Sequence, residues 1–103
     1  MRCVWQILVP CEDNDKKGFR ERYHRVWDAY VKKVSGGLTI HQPAKGKWVG
    51  PDGTVFEDRM IPVTFIATRE EAQKICEHTL TYYKQEAVLC YKLADDFILL
   101  HKK

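Results

Sequence analysis

The sequence predicts an α+β chain in the ferredoxin-like βαββαβ order, an antiparallel sheet carrying two helices on one face and an extra C-terminal strand. Three observations lead there. Several short segments alternate in polarity, two longer stretches repeat apolar residues three and four apart, and glycine-rich or acidic breaks separate them. Right-handed crossovers from the first strand to the third and from the second to the fourth then set both helices on the same face.

In residues 3–9, Cys3, Trp5, Ile7 and Val9 alternate with Val4, Gln6 and Leu8, which reads as a central strand with apolar residues on both faces. Residues 11–15 are polar and rich in capping residue types. Phe19, Tyr23, Val26, Trp27, Tyr30 and Val34 then mark a long amphipathic helix over about residues 15–34. Ser35-Gly36-Gly37 stops it, because glycine adopts the left-handed conformation a helix C-terminus needs. Leu38–His41 reads as a second strand, and residues 42–53, dense in turn formers around Trp48 and Val49, as a hairpin or flap.

A third strand follows over residues 57–67, with Ile61, Val63 and Phe65 on one face. Pro62 cannot donate a ladder hydrogen bond, so a bulge or an unpaired position is expected there. Thr68-Arg69-Glu70-Glu71 has the form of a capping box, ahead of a second helix striped by Ala72, Ile75, Cys76, Thr79, Leu80 and Tyr83. Residues 87–93 read as the fourth strand. Asp95-Asp96 turns the chain, and residues 97–100 are expected to hairpin back as a fifth.

With this order in view, Gly37-Leu38-Thr39, Gly46, Trp48, Glu57, Gln85 and Val88-Leu89 stand in a pattern that resembles a family of small uncharacterised bacterial proteins, a domain of unknown function. The pattern spans roughly the C-terminal two thirds of the chain. The resemblance implies a ferredoxin-like fold and transfers no catalytic residue.

At 103 residues the chain has the size of one domain, and 45% hydrophobic with 30% charged residues is a globular balance, so residues 1–103 are expected to share one core. The opening apolar run is too short to span a bilayer and lacks a cleavage site. Together with cysteines set in apolar segments, where a free thiol acts as a small hydrophobe, this predicts a cytoplasmic chain with reduced thiols and no membrane. The net charge of +3 comes from interleaved signs and points to no nucleic-acid partner. Lys16, Lys17, Arg20, Arg22, His24 and Arg25 are dense enough to bind phosphates, but acidic neighbours dilute them. The third strand also lacks the glycine and aromatic pattern that stacks RNA bases.

Two helices leave one sheet face bare, to be wetted, covered by a partner or occupied by a ligand. Strand alternation is expected to set Trp5, Ile7, Ile61, Val63, Phe65, Leu89 and Tyr91 toward the helices. It leaves Arg2, Val4, Gln6, Thr39, His41, Pro62, Thr64, Cys90 and Lys92 on the bare face. Arg2, Gln6, Thr39, His41, Trp48, Thr64 and Lys92 are thus the candidate ligand-binding residues, with Arg2, Lys92 and His41 converging and Trp48 closing over them as a lid.

The reading that follows is a non-enzymatic binding protein, a homodimer taking a small anionic ligand or a protein on that face. A cofactor-free enzyme with His41 as general acid or base competes with it, and nucleic-acid binding through the first helix is a third reading. Scattered cysteines and histidines make no paired metal-ligand spacing, and no phosphate loop, nucleophile elbow or kinase signature is present, so no metal and no cofactor are expected.

Overall fold

The computed structural model describes residues 1–102. The elements run β1 (Cys3–Pro10), α1 (Glu21–Ser35), β2 (Thr39–Ile40), β3 (Ala44–Val49), β4 (Val55–Ala67), α2 (Arg69–Tyr82) and β5 (Cys90–Ala94). The sheet is antiparallel in the order β2-β4-β1-β5, with β3 hairpinned to the outer part of β4. This is the ferredoxin-like α+β arrangement expected from the sequence.

The core lies between the helices and one sheet face. Cys3, Trp5, Ile7 and Val9 of β1 stand opposite Ala67, Phe65, Val63 and Ile61 of β4, and this surface packs against Trp27 and Val31 of α1 and Ala72 and Ile75 of α2. Thr68 caps α2 as expected: its hydroxyl accepts from the Glu71 amide while the Glu71 carboxylate accepts from the Thr68 amide. The helices are clasped by rings. Tyr23 and Tyr82 stack at 4.2 Å, and each hydroxyl donates to the other residue's carbonyl.

Four features differ from expectation. Helix α1 begins at Glu21, not near residue 15, because Asp13 spends its carboxylate on the amides of Asp15 and Lys17 within a loop, closed by a bridge between Glu12 and Gly18. Pro62 causes no bulge and pairs in register with Leu8. Its carbonyl accepts from the His41 amide at 2.9 Å, but proline cannot return that bond, and β2 stops at Ile40. The fourth strand of the βαββαβ core, β5, starts at Cys90, and residues 87–89 approach β1 irregularly, joined by Leu8 N donating to Leu89 O at 3.0 Å.

The expected hairpin over residues 97–100 does not form. The Phe97 amide turns into the Asp96 carboxylate, and Ile98, Leu99 and Leu100 stand in solvent. The fifth strand comes instead from the segment read as a hairpin or flap, and the hairpin is what forms: β3 and β4 extend as a long two-stranded arm around the Gly50–Thr54 turn. Glycine suits that turn because Gly53 sits at φ +85°.

Candidate ligand-binding cleft on the open sheet face

Side chains alternate along β1 and β4, so burying Trp5, Ile7, Val63 and Phe65 turns Val4, Gln6, Leu8, Thr64 and Ile66 away from the helices. Across this open face runs a hydrogen-bonded row that touches all four core strands. His41 Nε2, just beyond β2, meets Thr64 Oγ1 at 2.7 Å. Thr64 Oγ1 donates to Gln6 Oε1 at 3.4 Å, and Gln6 Nε2 donates to Tyr91 OH at 2.5 Å. Thr39 pairs with Thr64 in register and lies beside the row.

The expected trio of Arg2, Lys92 and His41 is not assembled. Arg2 donates to the Ser35 carbonyl at 2.5 Å and the Ile66 carbonyl at 2.8 Å, tying the end of α1 to the sheet. Lys92 bonds Asp95 at 2.6 Å, which raises its pKa, and it stands opposite Trp5 on the helix side. The parity of β5 is the reverse of the expectation: Tyr91 pairs with Gln6 and faces the open side, while Cys90 pairs with Ile7 and faces the helices. Leu89, Cys90 and Tyr91 are all apolar enough for either face, so alternation alone could not set the register. Glu57 and Asp58 are engaged elsewhere and do not orient His41: Glu57 bonds Lys45 at 3.3 Å and Asp58 bonds Lys16 at 3.7 Å.

Beyond Leu8 and Pro10 the open face deepens into a cleft of about 700 Å³. One wall is the β3–β4 arm, where Trp48 and Phe56 are cross-strand partners on the same side as Asp58 and Met60. Gly46 makes this wall possible, since a Cβ there would lie 2.7 Å from Met60 Cε and 3.0 Å from the Trp48 ring. The opposite wall is the segment from Gln85 to Leu89, and the loop after β1 closes one end with Glu12, Asp13 and Lys16. Trp48 therefore lines a cleft at the root of the arm and does not cover the His41 row.

The cleft's charged groups are of both signs, with Glu12, Asp13 and Asp58 against Lys16 and Arg59. Apolar rings and a thioether below, hydrogen-bonding groups at the rim, can stack a flat heterocycle and take hydroxyls. Among the described residues no three His, Cys, Asp or Glu side chains gather to hold a metal. A smaller hollow of about 260 Å³ lies on the helix side beside His24 and Asp28. Burial lowers the His24 pKa and raises that of Asp28. His24 Nδ1 meets Tyr83 OH at 2.6 Å, so this member of the basic run serves the fold.

Phe56, Asp58, Met60, Gln85 and Leu89 are cleft residues that sequence reasoning missed. A signal existed for the first three: a hairpin drawn about the Gly50–Thr54 turn sets Trp48 opposite Phe56 and Gly46 opposite Asp58. The second wall is irregular chain and carries no period.

Solved structures share this architecture. The divalent cation tolerance protein CutA1 from Thermus thermophilus superimposes with a TM-score of 0.66 at 16% identity, over 94% of this chain and 88% of that one. The fold is that of the CutA1 proteins. The periplasmic divalent cation tolerance protein CutA from Archaeoglobus fulgidus gives 0.69 at 11% identity, covering 96% and 88%. A phage SAM lyase in complex with S-methyl-5'-thioadenosine gives 0.68 at 14% identity, covering 89% and 80%. At such identities the likeness establishes architecture and leaves chemistry to the residues. No family model and no curated sequence matches the chain. Among the described residues, no helix is long and apolar enough to cross a membrane.

Proposed function

We propose that this chain is a small non-enzymatic binding protein, one cytoplasmic domain that self-associates and takes a purine nucleoside carrying a 5'-thioether in the cleft beneath the β3–β4 arm. The observation that carries this reading is the pairing of Trp48 and Phe56 above Met60, with Asp58 and Glu12 within the same cleft. Two aromatic faces suit a base, carboxylates suit the hydroxyls of a ribose, and a volume near 700 Å³ suits a ligand of that size. The SAM lyase holding S-methyl-5'-thioadenosine supports the choice of nucleoside, because it offers the same architecture at similar length. With Glu12, Asp13 and Asp58 set against Lys16 and Arg59, the cleft carries no excess of positive charge to favour a purely anionic ligand, and Arg2 and Lys92 are engaged elsewhere. Ile98, Leu99 and Leu100, 90%, 66% and 88% exposed, support self-association, since monomers seldom leave such a run in water.

Native mass spectrometry with added S-methyl-5'-thioadenosine tests this directly. The expected species is an oligomer carrying one nucleoside per copy. A bare monomer, or an oligomer that ignores the nucleoside and takes up a divalent cation stoichiometrically, would replace this reading with one closer to the cation tolerance proteins.

The hydrogen-bonded row from His41 to Tyr91 favours a second reading, in which the open face handles a proton and the chain is a cofactor-free enzyme. Incubation with SAM, followed for release of S-methyl-5'-thioadenosine, separates the two. Turnover that vanishes in His41→Ala would establish the enzyme; binding without turnover leaves the first reading.

A further inference from the structure

Gly46, Trp48 and Gly50 alternate along β3 into the turn beyond it, and Phe56 of β4 stands opposite Trp48. Glycine weakens a strand, because it loses the most backbone freedom and brings no side chain to pack. Neither of these two is required by its backbone: the glycines at positive φ are Gly36 and Gly53, so the torsions at 46 and 50 accept an L side chain. What a side chain would lack there is space. A Cβ on Gly46 would stand 2.7 Å from Met60 Cε and 3.0 Å from both Cζ2 and Nε1 of Trp48, and one on Gly50 would stand 2.9 Å from Phe56 Cε2. Non-bonded carbons rest about 3.5–4.0 Å apart, so the two rings and the Met60 methyl already hold the volume that side chains would fill. Burial agrees: within residues 41–50 only Gly46 and Gly50 are part-buried, and every other residue is exposed.

The two rings also lean apart. Trp48 and Phe56 are register partners, yet Trp48 reaches back to Gly46 at the root of the arm and Phe56 reaches on to Gly50 at its tip. Their aromatic surface is thereby spread along the strand from residue 46 to residue 50, about 13 Å at the rise of a β-strand.

We propose that Gly46 and Gly50 are positioning residues: by leaving room for Trp48 and Phe56 they spread an aromatic platform that prefers a bicyclic base to a monocyclic one. Trp48, Phe56 and Met60 line the cleft, and the two glycines act through them. Stacking strengthens with the ring area covered, so a purine gains from both rings and a pyrimidine from one. The placement of the rings stands on the geometry of the arm; the base preference rests on the cleft being the nucleoside site.

The test uses Gly46→Val and Gly50→Val in the full chain. Valine suits a strand, and the arm lies outside the core, so denaturant unfolding should show stability held or raised. Gly46→Ala, a smaller intrusion, gives the same signs at lesser size should valine open the hairpin. Trp5 and Trp27 are 7% and 1% exposed against 38% for Trp48, so acrylamide quenching of tryptophan fluorescence reads Trp48, and it should rise in Gly46→Val. In calorimetric titration the unaltered chain should bind S-methyl-5'-thioadenosine about tenfold or more tightly than S-methyl-5'-thiouridine, the worth of one further stacked ring. Each valine variant should lose most of that preference. Gly46→Val should add nothing to Trp48→Ala, and Gly50→Val nothing to Phe56→Ala, because a positioning residue has no effect once the group it positions is gone. Unchanged quenching, or losses that add in full to those of the ring deletions, would overturn the positioning role. Equal affinity of the unaltered chain for the two nucleosides would overturn the base preference. If quenching rises while no form binds either nucleoside, the ligand reading fails and the placement of Trp48 by Gly46 stands.

Discussion

The helix side of the sheet and its open side use the same strands and the same residue types, yet they end in opposite states. Trp27, Phe65 and Tyr83 on the helix side are at most 2% exposed, and Trp27 Nε1 donates to Thr79 Oγ1 at 2.9 Å. Trp48, Phe56 and Leu89 around the cleft are 38%, 52% and 46% exposed. Large aromatic and aliphatic groups gain most from leaving water, so the set left half-open around the cleft is the surface that the proposed ligand would cover. One face contributes stability, and the other is where the proposed function puts recognition.

The largest expected effect tests the first half of that contrast. Trp27→Ala removes the largest fully buried side chain and the partner of Thr79, and it should cost ~3–5 kcal/mol by denaturant unfolding. A loss below about 1 kcal/mol would mean that the helix layer is loosely packed and that the two faces differ less than their burial implies.

Next in size is Trp48→Ala. The ring lies against Gly46 and beside Phe56, on an arm that touches the core only at its root. Unfolding free energy should move by about 0.5 kcal/mol or less, as for a surface change. Affinity for S-methyl-5'-thioadenosine should fall by about ten- to a hundredfold, the worth of one base stacked on one ring. Calorimetric titration alongside denaturant unfolding reads both quantities. Core-like destabilisation with unchanged affinity would make the arm a structural element and remove the contrast.

The same division explains what could be read from the chain. The helix-side face is written in periods: alternation in β1 and β4, three-and-four spacing in α1 and α2, and a capping box at Thr68, each a local rule that long-range packing reinforces. His41, Gln6, Thr39 and Thr64 were found as neighbours for the same reason, because alternation along regular strands assigns their face. The other half of the site escaped. Arg2 and Lys92 are mobile cations in sequence, and only the fold shows Arg2 reaching the end of α1 and Lys92 bonding Asp95. Residues 84–89 follow no period, and the face of Tyr91 depends on how that irregular stretch delivers the chain into β5. A one-residue difference there exchanges Cys90 for Tyr91 on the open face, which is why the hydrogen-bonded row ends on a tyrosine that was expected in the core.

The smallest expected effect sharpens the contrast through pH. On the helix side His24 is lowered from the ordinary 6.5 by burial, with Asp28 pulling the other way. Tyr83, whose own pKa burial raises, keeps its proton, and it can donate to His24 Nδ1 only while that nitrogen is unprotonated. Protonating His24 would replace that acceptor with a second donor. The folded state therefore binds fewer protons than the unfolded chain as pH falls below 6.5, and stability should decline from there down to the lowered folded value. His78, lowered by burial between Tyr30 and Tyr82, adds a decline of the same sign. Asp28 acts oppositely at more acid pH: its folded pKa lies above 3.8, so its protonation favours the native state there. Glu21 and Arg25 are the other charged groups that line this hollow. Unfolding free energy measured from pH 8 to pH 5 should fall, and His24→Gln should flatten part of that fall and leave the share of His78. Because the cleft is lined by neither histidine, ligand affinity corrected for the folded fraction should stay level over the same range; an affinity that follows the stability curve would show that the two faces are coupled after all.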